Sequence, residues 1–326
     1  MKLKPVLVVQ GAKDVDEVPR LGELSDQAEL RFATNSDELR DALPGADVML
    51  GWSFRDASLP AAWDAATDLR WIHWAGAGVD AAMFPELAAS DVQLTNAQGV
   101  FDVPMAEWVL GMIICFAKRV PQTLASQARG EWQYRLSEIV AGKRALVVGV
   151  GSIGRAVGRL LSAAGMEVEA VGRSARDNHP DFGHVYAVAE LQARLPLADY
   201  VVLITPLTEQ TRNLFAAPEF GAMASHARFI NIGRGALVVE DDLLAALHDG
   251  QIAGAALDVF VEEPLPPQSP FWQAPNCLVS PHISGDYAEF EQAMADQFMH
   301  NWERYLAGEP LANVVDKNIG FVPSSS

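Results

Sequence analysis

Short runs rich in apolar and β-branched residues recur along the chain, separated by segments with helical spacing. In the first third these runs are PVLVVQ at 5–10, ADVMLG at 46–51, LRWIHWAG at 69–76 and VQLTN at 92–96, with a helix predicted near 36–43. Strands alternating with helices point to a parallel sheet covered on both faces. A long helical stretch follows over 103–129, where Pro121 predicts a kink. The strand rhythm then restarts with RALVVGVG at 144–151, MEVEAVG at 166–172, YVVLITP at 200–206, ARFINIG at 227–233, IAGAALDVF at 252–260 and CLVSPHI at 277–283. These candidate strands, with helices between them, amount to a doubly wound nucleotide-binding domain.

The closing stretch AEFEQAMADQFMHNWERYLAG at 288–308 is again helical and too short to form a domain. The economical reading returns it to the first domain. One unit is then 1–99 plus 287–326 and the other, the nucleotide-binding one, is 100–286, with both linkers at one hinge. The predicted class is α/β, with two Rossmann-like, doubly wound parallel-sheet domains, one flavodoxin-like and one dinucleotide-binding. The final three serines are expected to fray.

Gly149, Gly151 and Gly154 stand at Gly-x-Gly-x-x-Gly spacing directly after an apolar run and before the amphipathic segment IGRAVGRLLSAAG. In such a turn the first glycine permits the tight bend, the second lets the backbone approach a pyrophosphate, and the third lets the helix pack on the strand. Ser152 and Ile153 open that helix, whose amide ends and dipole favour phosphate. The next strand should end in Asp or Glu if the ribose of NAD is to be bound. It ends instead in Gly172, followed by Arg173, Ser174 and Arg176. Two guanidinium groups and a hydroxyl can bind a phosphate bidentately, which predicts NADP(H) as the preferred cofactor with NAD(H) possible. The plain alternative is a solvated surface turn.

Composition narrows the partners. The chain has 326 residues, 24 basic against 42 acidic, for a formal charge of −18. Such a balance argues against nucleic acid or an anionic membrane as partner. Cys115 and Cys277 lie far apart without a ligand motif, so neither a disulfide framework nor a metal site is expected, and a reducing, cytoplasmic setting fits. MKLKPVLVVQ is read as a first buried strand rather than a signal peptide. WVLGMIICFA is about half the length needed to cross a bilayer.

Three later segments each place a titratable or charged residue after an apolar run: Arg234 in FINIGRGALV, Asp258 and Glu263 in AALDVFVEEPLP, and His282 in CLVSPHISG. Taken singly, each has a dull structural explanation. Together with WAGAGVD at 74–80, MAEWVLG at 105–111, GVGSIG and TPLTEQTRNLF at 205–215, they form an ordered set. That set resembles the D-isomer-specific 2-hydroxyacid dehydrogenases, the group that includes glyoxylate/hydroxypyruvate reductases, over nearly the whole chain.

The resemblance implies reduction of a small 2-keto acid to a D-2-hydroxy acid, with Arg234, Glu263 and His282 as the catalytic groups. Hydride delivery to C2 of a keto acid builds negative charge on the oxygen, which a histidine can protonate and later deprotonate. A glutamate paired with the ring favours imidazolium. An arginine can hold the substrate carboxylate and polarise the carbonyl. The resemblance also implies substrate contacts from the loop Ala75, Gly76, Ala77 and Gly78. Its further cofactor contacts are Thr205, Pro206, Ile232, Asp258, His282 and Gly285, with Asp258 meeting the nicotinamide carboxamide. A homodimer formed through the nucleotide domains is implied as well. Competing expectations are a dehydrogenase of another small anion, such as formate or phosphite, and a nucleotide-sensing protein like the corepressors built on this fold. Glutamine in place of Glu263 marks the formate enzymes, which counts against that choice.

Overall fold

The computed structural model describes residues 4–323 apart from Arg55. The three closing serines, expected to fray, lie outside the described residues. The chain divides into two compact units, Met1–Phe101 with Tyr287–Ser326, and Asp102–Asp286.

In the first unit β1 (Val6–Gln10), β2 (Glu29–Ala33), β3 (Val48–Gly51), β4 (Trp71–Trp74) and β5 (Gln93–Asn96) form one sheet in the order β2-β1-β3-β4-β5. All its pairings are parallel, and the order is that of the flavodoxin-like fold. The sequence pattern missed β2, because ELRFA alternates too weakly and only its last residue is buried. The helix Phe290–Ala307 belongs to this unit. It buries Phe298 and Trp302, stacks Phe298 on Trp71 at 5.4 Å, and ends at Gly308, whose left-handed φ of 68° lets its N–H reach Arg304 and Tyr305 carbonyls. Beyond it, the buried Asn301 amide exchanges two hydrogen bonds with the Ala312 backbone, and Val314 bridges to Thr95, so the chain end is tied to β5.

The second unit holds β6 (Arg144–Val148), β7 (Glu167–Gly172), β8 (Arg176–His179), β9 (Gly183–Ala187), β10 (Tyr200–Leu203), β11 (Arg228–Asn231), β12 (Gly254–Leu257) and β13 (Cys277–Val279). Their order is β13-β12-β11-β10-β6-β7-β9-β8, parallel throughout except between β8 and β9. The chain runs outward from β6 on one side, then returns to β10 on the other, which creates the switch point where such sheets bind ligands. Phe215, Phe220 and Phe229 pack mutually in the core with ring centroids 4.9–5.9 Å apart. Each such burial is worth about 1.5–3 kcal/mol.

Two local features depart from the sequence pattern. The stretch 103–129 is not one kinked helix but two, Asp102–Ala117 and Val120–Ala128, parted by Arg119 at a left-handed φ of 52°. Pro121 therefore sits in the first turn of the second helix, where its missing N–H costs nothing. The β8–β9 hairpin is an addition to the six strands read from the pattern. Its tip docks on the helix Ser152–Ala163: Phe182 lies against Gly158, where a Cβ would come within 2.3 Å of the ring, and Asp181 binds Arg155 at 2.5 Å and Arg159 at 3.1 Å. Burial works against the Asp181 charge, yet the bonds from both arginines hold its carboxyl below the usual range. No helix among the described residues is long and apolar enough to cross a membrane, and none of their His, Cys, Asp and Glu side chains group as a metal site would require.

Candidate active site

The parallel strands of the second unit all end on the same edge of the sheet, and the segments that follow them carry the residues singled out above. After β6 comes the glycine turn. Gly149 has φ +123°, and a Cβ there would lie 2.6 Å from the Ile204 carbonyl oxygen, so only glycine fits. A Cβ on Gly154 would lie 1.9 Å from Gly149 O, which locks the helix against the turn. At Gly151, by contrast, a Cβ would meet nothing within 4 Å, and the residue is exposed. The helix Ser152–Ala163 begins there with no side chain capping its amide end. Across the turn, after β10, the buried Thr205 Oγ1 has no hydrogen-bond partner, next to the exposed Pro206. An open glycine, an uncapped helix start and an orphaned hydroxyl fit a pyrophosphate-bearing dinucleotide.

After β7 the chain exposes Arg173, Ser174 and Arg176. The two carboxylates of the adjoining hairpin are engaged elsewhere, Asp177 with His184 at 2.7 Å and Asp181 with Arg155 and Arg159. The turn itself contains no acid. This arrangement fits an added phosphate better than a bare ribose.

After β11 the buried Asn231 side chain shapes the next turn, accepting from Gly233 N–H and donating to the Arg234 carbonyl, both at 3.0 Å. Ile232 is buried in that turn and Arg234 emerges from it half-buried. Gly235 then packs on the Phe260–Val261 peptide so closely that a Cβ would come within 1.9 Å of Phe260 C. The same peptide region is gripped by two carboxylates: Phe260 N–H donates to Glu263 and Val261 N–H to Glu240, each at 2.8 Å. Burial, then the neighbouring charges of Asp241 and Glu263, push the Glu240 carboxyl above its ordinary value. Glu240 went unnoticed in the sequence. Its only signal there is an acid five residues after Gly235, at the start of a helix.

After β13 comes His282, with a left-handed φ of 58°. Its Nδ1 lies 2.6 Å from Glu263 Oε2, so the ring and the carboxylate are directly paired. Gly285 closes the segment. Asp258 is fully buried and turned inward. It accepts from the Ser280 hydroxyl and from Ile283 and Ser284 N–H groups at 2.9 and 2.8 Å, which tie it to the turn around His282.

In the first unit, Ala75–Gly78 follows β4 at the corresponding end of its own sheet. The Gly76 and Ala77 carbonyls are taken by Ala97 N–H and the Asn96 amide, at 3.0 and 2.6 Å. The N–H groups of Gly76, Ala77 and Gly78 donate to no acceptor among the described residues, which suits a loop that offers amides to an anion.

Similarity to known proteins agrees with this chemistry. Residues 110–284 match the model of the D-isomer specific 2-hydroxyacid dehydrogenase, NAD binding domain. Glyoxylate/hydroxypyruvate reductase B of Citrobacter koseri is 32% identical over 327 residues, covering 97% of this chain and 99% of that protein. The NADPH-dependent glyoxylate/hydroxypyruvate reductase of Sinorhizobium meliloti, solved with NADP and sulfate, superposes with a TM-score of 0.84 at 29% identity, covering 98% of this chain and all of that one (100%). A D-isomer specific 2-hydroxyacid dehydrogenase of Xanthobacter autotrophicus, solved with NADPH and MES, gives 0.81 at 29% identity over 98% and 100%. With its two parallel-sheet units, its glycine turn and its paired His282 and Glu263, the chain belongs to the D-isomer specific 2-hydroxyacid dehydrogenases, in the glyoxylate/hydroxypyruvate reductase group, and is an oxidoreductase.

Proposed function

We propose that the protein reduces glyoxylate, hydroxypyruvate or a similar small 2-keto acid to the D-2-hydroxy acid, reversibly, with NADPH preferred over NADH. The observation that carries this reading is the 2.6 Å contact between His282 Nδ1 and Glu263 Oε2 at the ligand-binding edge of a dinucleotide sheet. When bound, the nicotinamide supplies or accepts the hydride at C2. His282 donates a proton from Nε2 to the carbonyl oxygen as negative charge develops there, and takes it back in the oxidative direction. Glu263, accepting from Nδ1, fixes the ring's tautomer and orientation. Arg234 pairs with the substrate carboxylate and draws electron density from the carbonyl. In the first unit, the Gly76, Ala77 and Gly78 amides are separate candidates for contact with an anionic substrate.

The preference for NADPH rests on Arg173, Ser174 and Arg176, and it agrees with the relatives whose structures hold NADP or NADPH. A homodimer is supported by the extended segment after the helix Val120–Ala128 of the second unit, where Trp132, Tyr134, Leu136 and Ile139 are 100%, 83%, 76% and 71% exposed. Such a cluster of exposed apolar side chains marks an interaction surface. The deciding experiment follows nicotinamide absorbance while NADPH or NADH is offered with a panel of 2-keto acids. Turnover of glyoxylate or hydroxypyruvate with NADPH is expected. A panel on which neither cofactor is consumed would sink the proposal.

A further inference from the structure

Arg176 opens β8, the outermost strand of the second sheet, so its backbone is held on one side only. That side is β9, where Arg176 pairs with Val185, itself level with Ala170 of β7, and the ladder loses register before His179. A short edge strand on an irregular ladder does not by itself fix where a side chain points. The far end of β8 is tied down through the hairpin tip. His179 Nδ1 accepts the Asp181 N–H at 3.2 Å, and its ring centroid lies 5.1 Å from that of Phe182. Phe182 in turn packs on Gly158 of the helix Ser152–Ala163, and Asp181, its side chain only 9% exposed, bonds Arg155 and Arg159. Gly154, one helical turn before Gly158, is the glycine locked to the Gly149 carbonyl. One helix thus fixes both the pyrophosphate turn and the tip of the hairpin that carries Arg176.

We propose that Asp181 and Phe182 are positioning residues for cofactor choice: they dock the hairpin on the nucleotide helix and so hold Arg176 at the turn that receives the extra phosphate of NADPH. This rests on the cofactor reading above. A side chain already in its bound place spares the ordering cost on binding, and only a ligand that uses the side chain gains from it. NADH has no phosphate to offer there and gains nothing. Gly158 gives the docking its shape, since any Cβ at that position would come within 2.3 Å of the Phe182 ring. The two arginines in turn occupy the Asp181 carboxylate, so an acid so near the phosphate turn is neutralised on the helix side.

Phe182→Ala removes the ring without changing charge, and Asp181→Asn removes the ion pairs while nearly keeping shape. Fluorescence titration without substrate is expected to show the NADPH dissociation constant raised about tenfold in each variant, with that for NADH within about threefold of wild type. Hydrogen–deuterium exchange on the ligand-free protein should quicken over 176–187 in both. Parallel weakening of NADPH and NADH would mean that the tip supports the helix and the pyrophosphate turn instead, and the proposal is overturned. Tighter NADPH binding by Asp181→Asn overturns it too, because the acid would then act through its charge on Arg155 and Arg159. Unchanged NADPH affinity or unchanged exchange in both variants has the same consequence. Should the wild-type protein bind NADH as tightly as NADPH, the cofactor reading fails, while the exchange comparison still decides whether Asp181 and Phe182 hold the hairpin.

Discussion

His282 and Glu263, nineteen residues apart in sequence (|i−j|=19), meet through Nδ1 and Oε2 at 2.6 Å because β12 and β13 are neighbours in the sheet and their following loops converge. The two side chains are 27% and 30% exposed, so the pair is open to solvent while it stays in contact. His282→Ala is expected to lower kcat by about 10²–10⁴-fold, the usual contribution of a positioned acid or base. NADPH binding, measured by fluorescence titration, should survive. Loss of cofactor binding on the same scale would give His282 a structural role instead.

Arg173 and Arg176 should act on one cofactor only. Each charge-assisted bond to a phosphate is worth about 1.5–3 kcal/mol, so replacing both arginines with alanine is expected to raise the KM for NADPH by about 100-fold or more. The KM for NADH should move by less than about threefold, because NADH presents no phosphate at that turn. Steady-state kinetics with the two cofactors checks this, and equal changes for both would leave the arginines as ordinary surface charge.

Gly154→Ala should fail for a steric reason. The added Cβ would sit 1.9 Å from the Gly149 carbonyl oxygen, a backbone atom that cannot swing aside, so the helix must shift off the turn. Weaker binding of both NADPH and NADH by at least about tenfold is expected, since the helix start and the pyrophosphate share this geometry. Gly151→Ala meets no protein atom within 4 Å and should leave folding intact, as a melting curve would show.

His73 gives the first unit an acid-sensitive core. It is wholly buried on β4 beside Trp71 and Phe298, with Nδ1 bonded to Thr95 Oγ1 at 2.9 Å, and burial pushes its pKa from 6.5 down to about 3. Between those values the unfolded chain binds one more proton than the folded one. Stability is therefore complete above about pH 6.5 and falls with pH by up to about 1.4 kcal/mol per unit. Urea midpoints followed by tryptophan fluorescence should drop between pH 7 and pH 5 in the wild type. His73→Gln should drop less, and an equal drop in both would refute the assignment.

The exposed apolar segment should control assembly. Replacing Trp132, Tyr134 and Leu136 together with serine is expected to turn a dimer into a monomer at micromolar concentration, read by size exclusion with light scattering. A wild-type monomer, or a triple variant that remains dimeric, would remove this segment from the interface.

Much of the site was legible because it is written in local terms. Gly149, Gly151 and Gly154 are dictated by backbone conformation and close approach, and a spacing of fixed residues records both. The arginines after β7 were visible because the absence of a carboxylate at one known position is itself a sequence fact. Arg234, Glu263 and His282 each follow an apolar run, so their place at strand ends could be read before any contact was known. The two parallel-sheet halves were likewise legible from apolar runs alternating with helical spacing.

What only the tertiary structure decided depends on which segments become neighbours. The order β13-β12-β11-β10-β6-β7-β9-β8 places the Arg234, Glu263 and His282 loops side by side, and no periodicity within a strand encodes the strand next to it. Asp258 reads in sequence like an acid at an open strand end, yet three donors from a loop more than twenty residues away (|i−j|=22, 25 and 26) turn it inward. Glu240 reads as an ordinary acid in a helix's first turn until Val261 is brought to it across a separation of |i−j|=21. The break at Arg119 escaped notice for the opposite reason: Pro121 drew attention, while a single residue at positive φ leaves no compositional mark. Chain-local geometry determined the glycine turn and the strand ends, and non-local hydrogen bonding determined which distant donors the acids Asp258, Glu240 and Glu263 accept from.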